Sequence, residues 1–370
     1  MARPLSILQI TSASSLSGGT RQMLLLAQGL AGTRCRVVVA APPGSASLAA
    51  SAELGLDTRP LVFQTLCHQW QSSRALRALV REMGADVVHA HHTKAHNVGV
   101  LATFGGGFPP VVANRGVLVP PKFPAKFRSA RTSGLVTNSL AAKNVLVGAG
   151  VADEKIHVVY NGVGVPDRER GRERAARLRT ELGLEDAIPV VGAVGSGIPE
   201  KGFQHLVEAA PAIRKAFPAA AFVLVGAGTD RLQDRIRDLG LSGCVRLAGR
   251  QPDAGELMGL FDVFVLPSLS ESCPNVVLEA MGAAVPQVCS DVGGVREILD
   301  GGGYLVPPAD SGAIAEAVCR LAADPSAARA MGARGAETVA ARFTPARKVE
   351  ATLDVYRRVL EAPSRRRRAA

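Results

Sequence analysis

Residues 262–290 read DVFVLPSLSESCPNVVLEAMGAAVPQVCS, and the order of elements in this stretch decides the fold. A short apolar and β-branched run typical of a buried strand leads through a polar loop into a helical stretch, and a second strand-like run follows. Strand, helix and strand in this order form the unit of a mostly parallel sheet covered by helices. Because ligands of such sheets bind beyond the carboxyl ends of the strands, we expect the functional residues just after the first strand.

The same alternation extends outward along the chain in two series of similar length. Runs such as SILQIT, CRVVVAA and DVVHAH belong to the first series, and the second begins at IPVVGAVGS. A charged, weakly helical stretch that is poor in β-branched residues separates them and reads as a connector. We therefore predict an N-terminal Rossmann-like domain, a linker, a C-terminal Rossmann-like domain, and a C-terminal helix that packs back toward the N-terminal domain and ends in a basic tail, over residues 1–163, 164–187, 188–342 and 343–370.

The composition excludes several classes of protein. The chain has 370 residues, of which 47% are hydrophobic and 20% are charged, enough apolar surface for two or three folded domains. No apolar run reaches the ~18 residues of a membrane span, and the first residues do not resemble a signal peptide. The six cysteines form no CxxC pair, which argues against a zinc site and against a disulfide framework. We expect a cytoplasmic protein.

The positive charge is concentrated in the first half of the chain. Residues 1–165 contain 16 of the 43 Lys and Arg but only 6 of the 32 Asp and Glu, and residues 87–152 contain no carboxylate. Phe123 and Phe127 alternate with basic residues, as in surfaces that contact membranes. We predict an acceptor or anionic membrane surface formed by Arg115, Lys122, Lys126, Arg128 and Arg131. The alternative is a solvated basic face; nucleic acid is not expected, because aromatic residues make up only 4% of the chain.

Two carboxylates flank the predicted start of the helix in residues 262–290. Glu271 lies in the loop, and Glu279 lies eight residues further on, within the helix. A helix carboxylate can accept both hydroxyls of a ribose, while the loop carboxylate is placed for the other end of the same ligand. The alternative is a solvated loop residue and a surface helix residue.

The start of this helix is itself a predicted phosphate site. Pro274 suits the first helical position, with Ser272 or Cys273 as the N-cap residue. The N–H groups of Asn275 and Val276 would then attract phosphate, since a helix N-terminus offers unpaired donors and a positive dipole end.

The complete string from Pro267 to Asp310 resembles the C-terminal signature of glycosyltransferase family 4, the retaining enzymes of the GT-B fold. The resemblance implies two Rossmann-like domains that face each other across a cleft, with donor binding by the C-terminal domain and acceptor binding by the N-terminal one. It implies that Glu279 binds the nucleotide ribose, that Glu271 binds the transferred sugar, and that the backbone at Asn275–Val276 binds phosphate. It also implies retention of anomeric configuration.

Other segments of the second series extend this resemblance. GAVGSGIPEKGF looks like the phosphate-binding segment of the family, which would place Lys201 on the diphosphate. The family usually has Arg five residues earlier, where this chain has Ser196. Either another cation such as Arg250 substitutes, or the donor site is weakened or inactive. Gly226 in FVLVGAG would allow close approach of the nucleotide, with an ordinary structural turn as the alternative.

Two segments of the first series also match the family. Gly18 and Gly19 in SSLSGGTRQ resemble its glycine-rich first loop, with an ordinary turn as the alternative. DVVHAHH resembles the segment in which the second histidine, here His91, lies by the reacting sugar. A structural role is the alternative for a histidine in such a strand. A metal site is a further explanation for clustered histidines, but no carboxylate ligand accompanies them. The chain contains no DxD motif, so we expect neither a metal ion nor another cofactor.

Together these features predict a metal-independent retaining glycosyltransferase that transfers a sugar from a nucleoside-diphosphate sugar to an acceptor hydroxyl. A glycan or lipid-linked acceptor, and a role in lipopolysaccharide or other cell-envelope synthesis at the inner face of the membrane, are further expectations. Alternatives are a non-catalytic sugar-nucleotide-binding protein, a sugar-nucleotide epimerase of the same fold, and a nicotinamide dehydrogenase. The last lacks its dinucleotide fingerprint.

Overall fold

A computed structural model describes residues 3–63, 69–164, 168–252 and 254–362. The chain divides into two compact units. The first unit comprises Met1–Gly162 together with Pro345–Ala370, and the second comprises Val163–Thr344. No helix among the described residues has the length and apolar character that crossing a membrane requires. The predicted basic tail, Arg365–Arg368, lies outside the described residues.

The first unit is built on a parallel sheet of seven strands. Its strands are β1 (Leu5–Thr11), β2 (Cys35–Ala41), β3 (Asp57–Pro60), β4 (Val87–His91), β5 (Val111–Asn114), β6 (Gly134–Thr137) and β7 (Ile156–Val158). They lie in the order β3-β2-β1-β4-β5-β6-β7. The direction of strand addition reverses between β1 and β4, so the loops after these two strands open a crevice where a ligand can bind.

Helices cover both faces of this sheet. They are α1 (Gly18–Ala31), α2 (Ala46–Glu53), α3 (Gln69–Met83), α4 (Thr93–Ala102), α5 (Ala125–Arg128), α6 (Leu140–Gly148) and, from the end of the chain, α14 (Pro345–Glu361). Helix α14 packs on α1 so closely that a Cβ at Gly29 would lie 2.5 Å from Cγ2 of Val349. Its Tyr356 is fully buried, so the end of the chain completes the core of the first unit.

The second unit is built on a parallel sheet of six strands. Its strands are β8 (Val190–Val194), β9 (Ala221–Val225), β10 (Val245–Gly249), β11 (Val263–Leu266), β12 (Gln287–Ser290) and β13 (Gly303–Val306). They lie in the order β10-β9-β8-β11-β12-β13, so the reversal falls between β8 and β11. The prediction of two Rossmann-like parallel sheets is confirmed, and the stretch that decided it forms β11, a helix and β12.

The helices of the second unit include one in the segment that we predicted to be a connector. They are α7 (Arg168–Glu181), α8 (Phe203–Ala216), α9 (Gln233–Asp238), α10 (Asn275–Gly282), α11 (Val295–Leu299), α12 (Ser311–Ala323) and α13 (Pro325–Arg342). Helix α7 lies within residues 164–187 and packs on a 3-10 helix, Ala254–Leu260. Arg174 Nη1 lies 2.9 Å from Glu256 Oε2, which explains how so charged a sequence is held against the unit.

Candidate active site

Three loops meet at the carboxyl edge of the second sheet, and two of them contain glycine. A Cβ at Gly226 would lie 1.6 Å from the carbonyl oxygen of Gly195, and the φ of Gly226 is +149°. Gly202 has a φ of +68°, and a Cβ there would lie 1.9 Å from the carbonyl oxygen of Pro267. No L side chain fits either position, so the loops after β8, β9 and β11 contact each other through their backbones.

An ion pair joins two of these loops. Nζ of Lys201 donates to Oε1 of Glu271 over 2.6 Å, and Oγ of Ser268 donates to the same oxygen over 2.9 Å. The Glu271 side chain is only 10% exposed, whereas that of Lys201 is 31% exposed. Both bonds end on Oε1, so the carboxylate is fixed in orientation. Sequence reasoning missed Ser268, although its position three residues before Glu271 in the same loop was a usable signal.

The start of helix α10 differs by one residue from our prediction. We expected Pro274 as the first helical residue, capped by Ser272 or Cys273, but Pro274 itself is the cap and the helix begins at Asn275. The ψ of Pro274 is 117°, which is extended, and its carbonyl accepts the N–H of Val277 over 3.2 Å. The N–H groups of the first turn, which lack partners within the helix itself, therefore belong to Asn275 and the residue after it, Val276.

Glu279 lies one turn into α10 and is half-buried. Its carboxylate lies against the 3-10 helix that α7 covers, because a Cβ at Gly255 would be 3.1 Å from Cδ of Glu279. Gly255 therefore leaves room for the carboxylate, and a larger residue there would displace it.

The remaining predicted donor residues lie at the same edge of the second sheet. Ser196 is exposed in the loop after β8, where it directly follows Gly195. Arg250 is exposed and follows Gly249, whose carbonyl accepts the N–H of Gly226 over 2.7 Å. Each residue thus follows the end of a strand of this sheet.

In the first unit, the predicted glycine-rich loop lies beside a histidine that we did not select. Gly18 and Gly19 open helix α1, and the Ser17 hydroxyl caps it by accepting the Thr20 N–H. A Cβ at Gly19 would lie 3.8 Å from Nε2 of His92. The His92 backbone has a φ of +72°, and its Nδ1 lies 2.9 Å from Oγ1 of Thr11. This backbone conformation turns the imidazole toward the loop, and nothing in the sequence predicted it.

A chain of hydrogen bonds connects His91 to the C-terminal helix. The Tyr356 hydroxyl lies 2.7 Å from Nδ1 of His89, and Nε2 of His89 lies 3.2 Å from Oδ1 of Asn114. Nδ2 of Asn114 donates to Nδ1 of His91 over 2.7 Å. Because the amide nitrogen can only donate, His91 accepts at Nδ1 and carries its proton on Nε2. Nε2 is buried and has no hydrogen-bond partner among the described residues.

His89 and His91, the two histidines in this series of hydrogen bonds, are neutral. Burial lowers the pKa of His89 to about 4, and burial together with the neighbouring histidines and Lys348 lowers the pKa of His91 well below its usual value. Lys348 is itself buried and donates from Nζ to Oε1 of Gln22 over 2.6 Å. A positive charge next to two buried imidazoles opposes their protonation. His91 is therefore a hydrogen-bond donor at Nε2 rather than a base.

Comparison with known proteins identifies the family. Residues 16–165 match the model of Glycosyltransferase Family 4, and residues 188–324 match that of Glycosyl transferases group 1. The α-maltose-1-phosphate synthase of Mycolicibacterium smegmatis is 31% identical over 314 residues, which cover 74% of this chain and 79% of the synthase. The chain belongs to glycosyltransferase family 4. Family membership removes the dehydrogenase alternative.

Two further proteins are similar to this glycosyltransferase. The lipopolysaccharide core biosynthesis glycosyltransferase LpsE of Rhizobium meliloti is 33% identical over 186 residues, and the match covers 49% of this chain and about half, 52%, of LpsE. The crystal structure of Anabaena HepE in complex with UDP superposes with a TM-score of 0.82 at 22% identity, covering 96% of this chain and 100% of HepE. The glycosyltransferase therefore has the GT-B fold.

The predicted basic surface of this glycosyltransferase separates into two groups. Arg115, Lys122 and Lys126 line one cavity. Arg128 instead donates to the carbonyl of Ala149 behind helix α6, and the Arg131 guanidinium lies 3.7 Å from the centre of the Phe104 ring. Arg128 and Arg131 are thus held by the fold.

Within residues 3–63, 69–164, 168–252 and 254–362, no group of three or more His, Cys, Asp or Glu side chains could hold a metal ion.

Proposed function

We propose that this glycosyltransferase binds a nucleoside-diphosphate sugar on its second unit and transfers the sugar to an acceptor hydroxyl with retention of configuration. The observation that supports this proposal most is the Lys201–Glu271 pair, which lies at the carboxyl edge of the sheet in the loops beside the start of α10. A cation and helix N–H groups suit a diphosphate, and carboxylates suit the hydroxyls of two sugars.

Different residues bind the ribose, the diphosphate and the transferred sugar of the donor. Glu279 accepts the ribose hydroxyls, and the first turn of α10 donates to the diphosphate together with Lys201. Glu271 accepts a hydroxyl of the transferred sugar at Oε2, since Oε1 already accepts from Lys201 and Ser268. Arg250 supplies the positive charge that Ser196 lacks. Without it, the loss of a charge-assisted bond to phosphate would weaken donor binding by roughly 1.5–3 kcal/mol.

The leaving diphosphate needs no metal ion in this proposal. Its developing charge is stabilised by Lys201, which Glu271 holds in position, by Arg250 and by the dipole of α10. The acceptor oxygen attacks the anomeric carbon on the face that the diphosphate leaves. The bond between that carbon and the phosphate oxygen breaks, and the acceptor proton passes to the departing phosphate.

The first unit supplies the acceptor side. His91 donates its Nε2 proton in a hydrogen bond to a substrate oxygen. It does not compete for the acceptor proton, because its other nitrogen, Nδ1, already accepts from Asn114 and burial lowers its pKa. A glycan or lipid-linked acceptor of the cell envelope, at the inner face of the membrane, is consistent with the basic first half of the chain. The similarity to LpsE, which is named for lipopolysaccharide core biosynthesis, points in the same direction.

Donor turnover tests the proposal without knowledge of the acceptor. A thermal-shift screen over UDP-glucose, GDP-mannose and ADP-glucose selects the donor, with UDP-glucose first because HepE has been solved with UDP and glucose. We expect slow release of nucleoside diphosphate that is unchanged by EDTA, with the sugar first released as the anomer present in the donor.

Three outcomes of this experiment would contradict the proposal. A donor that shifts the melting temperature but is never cleaved would indicate a non-catalytic binding protein. Conversion of the donor to another nucleotide sugar would indicate an epimerase. Loss of cleavage in EDTA that Mg²⁺ restores would contradict metal independence.

A further inference from the structure

The first unit contains a cavity of about 440 Å3 that has a basic interior and an apolar rim. It lies between the first turns of α4, the loop that follows β5, and α5. Arg115, Lys122 and Lys126 supply the charge, while Val119, Phe123 and Phe127 supply apolar surface.

Among the described residues, only neutral groups accept hydrogen bonds from the two inner cations, Arg115 and Lys126. Nζ of Lys126 donates to Oδ1 of Asn97 over 2.6 Å, and the Arg115 guanidinium donates from Nη2 to the carbonyl of Val119 over 2.6 Å. Nε of Arg115 is buried and has no hydrogen-bond partner in the described part of the chain. Residues 87–152 contain no carboxylate, so no local side chain of this segment offsets the charge.

Phe127 brings these two cations together. The ring is buried, and it has Nζ of Lys126 5.0 Å from its centre and Cζ of Arg115 5.2 Å from its centre. Burial lowers the pKa of both groups, and the charge of Arg115 contributes to lowering that of Lys126 to about 8. Two like charges in partly desolvated surroundings repel each other, and a bound anion removes that cost.

The rim indicates what kind of molecule carries the anion. Phe123 is 81% exposed and Val119 is 70% exposed, and both line the cavity beside the cations. Large apolar side chains held in water next to a charged interior match a ligand with an anionic head and a hydrocarbon body. Arginine and lysine together suit phosphate, since one offers a planar fork and the other a point charge.

We propose that this cavity binds the phosphate of an acceptor lipid, with Arg115 and Lys126 on the phosphate and Phe123 and Val119 against the hydrocarbon chain. Its role as an acceptor site rests on the glycosyl transfer proposed above, whereas binding of the phosphate amphiphile can be measured independently of transfer.

Calorimetry with three probes tests the two halves of the cavity. Octyl phosphate has both parts of the ligand, inorganic phosphate has only the charge, and octyl glucoside has only the chain. We expect octyl phosphate to bind at least tenfold more tightly than either of the others. Equal binding of octyl phosphate and inorganic phosphate would overturn the assignment of the apolar rim, and equal binding of octyl phosphate and octyl glucoside would overturn the phosphate site.

Four variants connect the binding to the cavity. Lys126→Met should weaken octyl phosphate binding roughly tenfold or more, and Phe123→Ser should weaken octyl phosphate but not inorganic phosphate. Lys143→Met removes the same charge from the same basic segment, but Lys143 pairs with Asp153 outside the cavity, so this control should bind as the wild type does. Equal losses in Lys126→Met and Lys143→Met would show attraction by net charge, not a cavity site, and would refute the proposal.

The pH dependence supplies a readout that a merely structural lysine would not give. Arg115 and Lys122 line the cavity with Lys126, Lys155 donates to the carbonyl of Phe127, and the neutral His96 ring lies 5.0 Å from the ring of Phe127. Burial and the charge of Arg115 lower the pKa of Lys126 to about 8, so binding by the wild type should weaken between pH 7 and 9. The fourth variant, Lys126→Arg, should retain binding over that range.

These results can be separated from failure of the proposed function. If octyl phosphate binds as expected but no donor is cleaved, the cavity stands and the transferase proposal falls. If donors are cleaved but Lys126→Met binds octyl phosphate as tightly as the wild type does, the cavity proposal falls alone.

Discussion

The two units solve different chemical problems at the carboxyl edges of very similar sheets. The second unit uses fixed charge, with Lys201 and Glu271 paired over 2.6 Å. The hydrogen-bond chain of the first unit consists of neutral groups, Tyr356, His89, Asn114 and His91. A fixed charge suits the diphosphate that leaves the proposed donor. A series of hydrogen bonds between neutral groups keeps the His91 proton on Nε2. The comparison teaches that one fold can present an electrostatic site in one unit and a proton-positioning site in the other.

Removing Glu271, the charged partner of Lys201, should lower the rate of transfer more than either Asn114→Asp or Ser268→Ala does. We expect Glu271→Ala to lower the rate of transfer roughly 10²- to 10³-fold, because a group fixed on the transferred sugar is lost and Lys201 loses its partner. Steady-state kinetics with the selected donor measure the loss. The exposed neighbour Glu200 provides the control, and Glu200→Ala should retain wild-type activity. Equal activity of all three proteins would remove Glu271 from the site.

Acid should destabilise the first unit more than the second. Buried histidines of the described chain lie in the first unit, and burial lowers the folded pKa of His89 to about 4 and that of His96 to about 3. Between pH 6.5 and these values the unfolded chain binds more protons than the folded one. The free energy of unfolding should therefore fall on acidification, by up to about 1.4 kcal/mol per pH unit for each histidine.

Amide hydrogen exchange can resolve this difference within one molecule. After correction for intrinsic exchange, protection in β4 should decrease from pH 6.5 to pH 4.5 more than protection in β9, which serves as the internal reference. Parallel loss in the two strands would show that the buried histidines do not govern acid sensitivity.

Reversing the direction of the hydrogen bond between Asn114 and His91 should lower the rate of transfer less than Glu271→Ala does. Asn114→Asp replaces the amide that donates to His91 with a carboxylate that can only accept, so the His91 proton should move to Nδ1. We expect kcat to fall roughly tenfold to hundredfold. Nitrogen-15 NMR of the imidazoles reports the tautomer directly, and the exposed Asn144→Asp on α6 provides the control. An unchanged tautomer with normal kcat would show that Asn114 does not set the position of the His91 proton.

The smallest effect concerns the hydroxyl that orients Glu271. Ser268→Ala removes one of the two bonds to Oε1 and leaves the bond from Lys201, so we expect a cost of about 1 kcal/mol, or a three- to tenfold lower rate of transfer. A loss as large as that of Glu271→Ala would show that Ser268 contacts the substrate itself.

The sequence could predict the second site better than the first for a physical reason. Glu271, Ser268 and the start of α10 lie in one continuous strand–loop–helix unit, so their relation follows from local structure. The bond between His89 and Tyr356 joins residues 267 positions apart, and only the packing of α14 on the first unit creates it. His92 owes its position to a φ of +72°, which no local pattern indicated.

Elements were missed where the usual pattern is weak. Strand β3, DTRP, is a short edge strand of mostly polar residues, so it lacks the apolar run of the inner strands. Helix α7 is so charged that its sequence reads as a weakly helical connector, and its packing depends on the buried Ala175 and Leu178 as well as on the Arg174–Glu256 pair. Both exceptions lie at the margin of their units, where tertiary contacts outweigh local propensity.

Calorimetric titration with the selected donor tests the central claim, that the second unit holds a nucleotide sugar between Glu279 and Lys201. We expect Glu279→Ala and Lys201→Ala each to weaken donor binding at least tenfold, whereas the exposed controls Glu200→Ala and Lys215→Ala should bind as the wild type does. Wild-type affinity in both Glu279→Ala and Lys201→Ala would place the donor elsewhere and contradict the account.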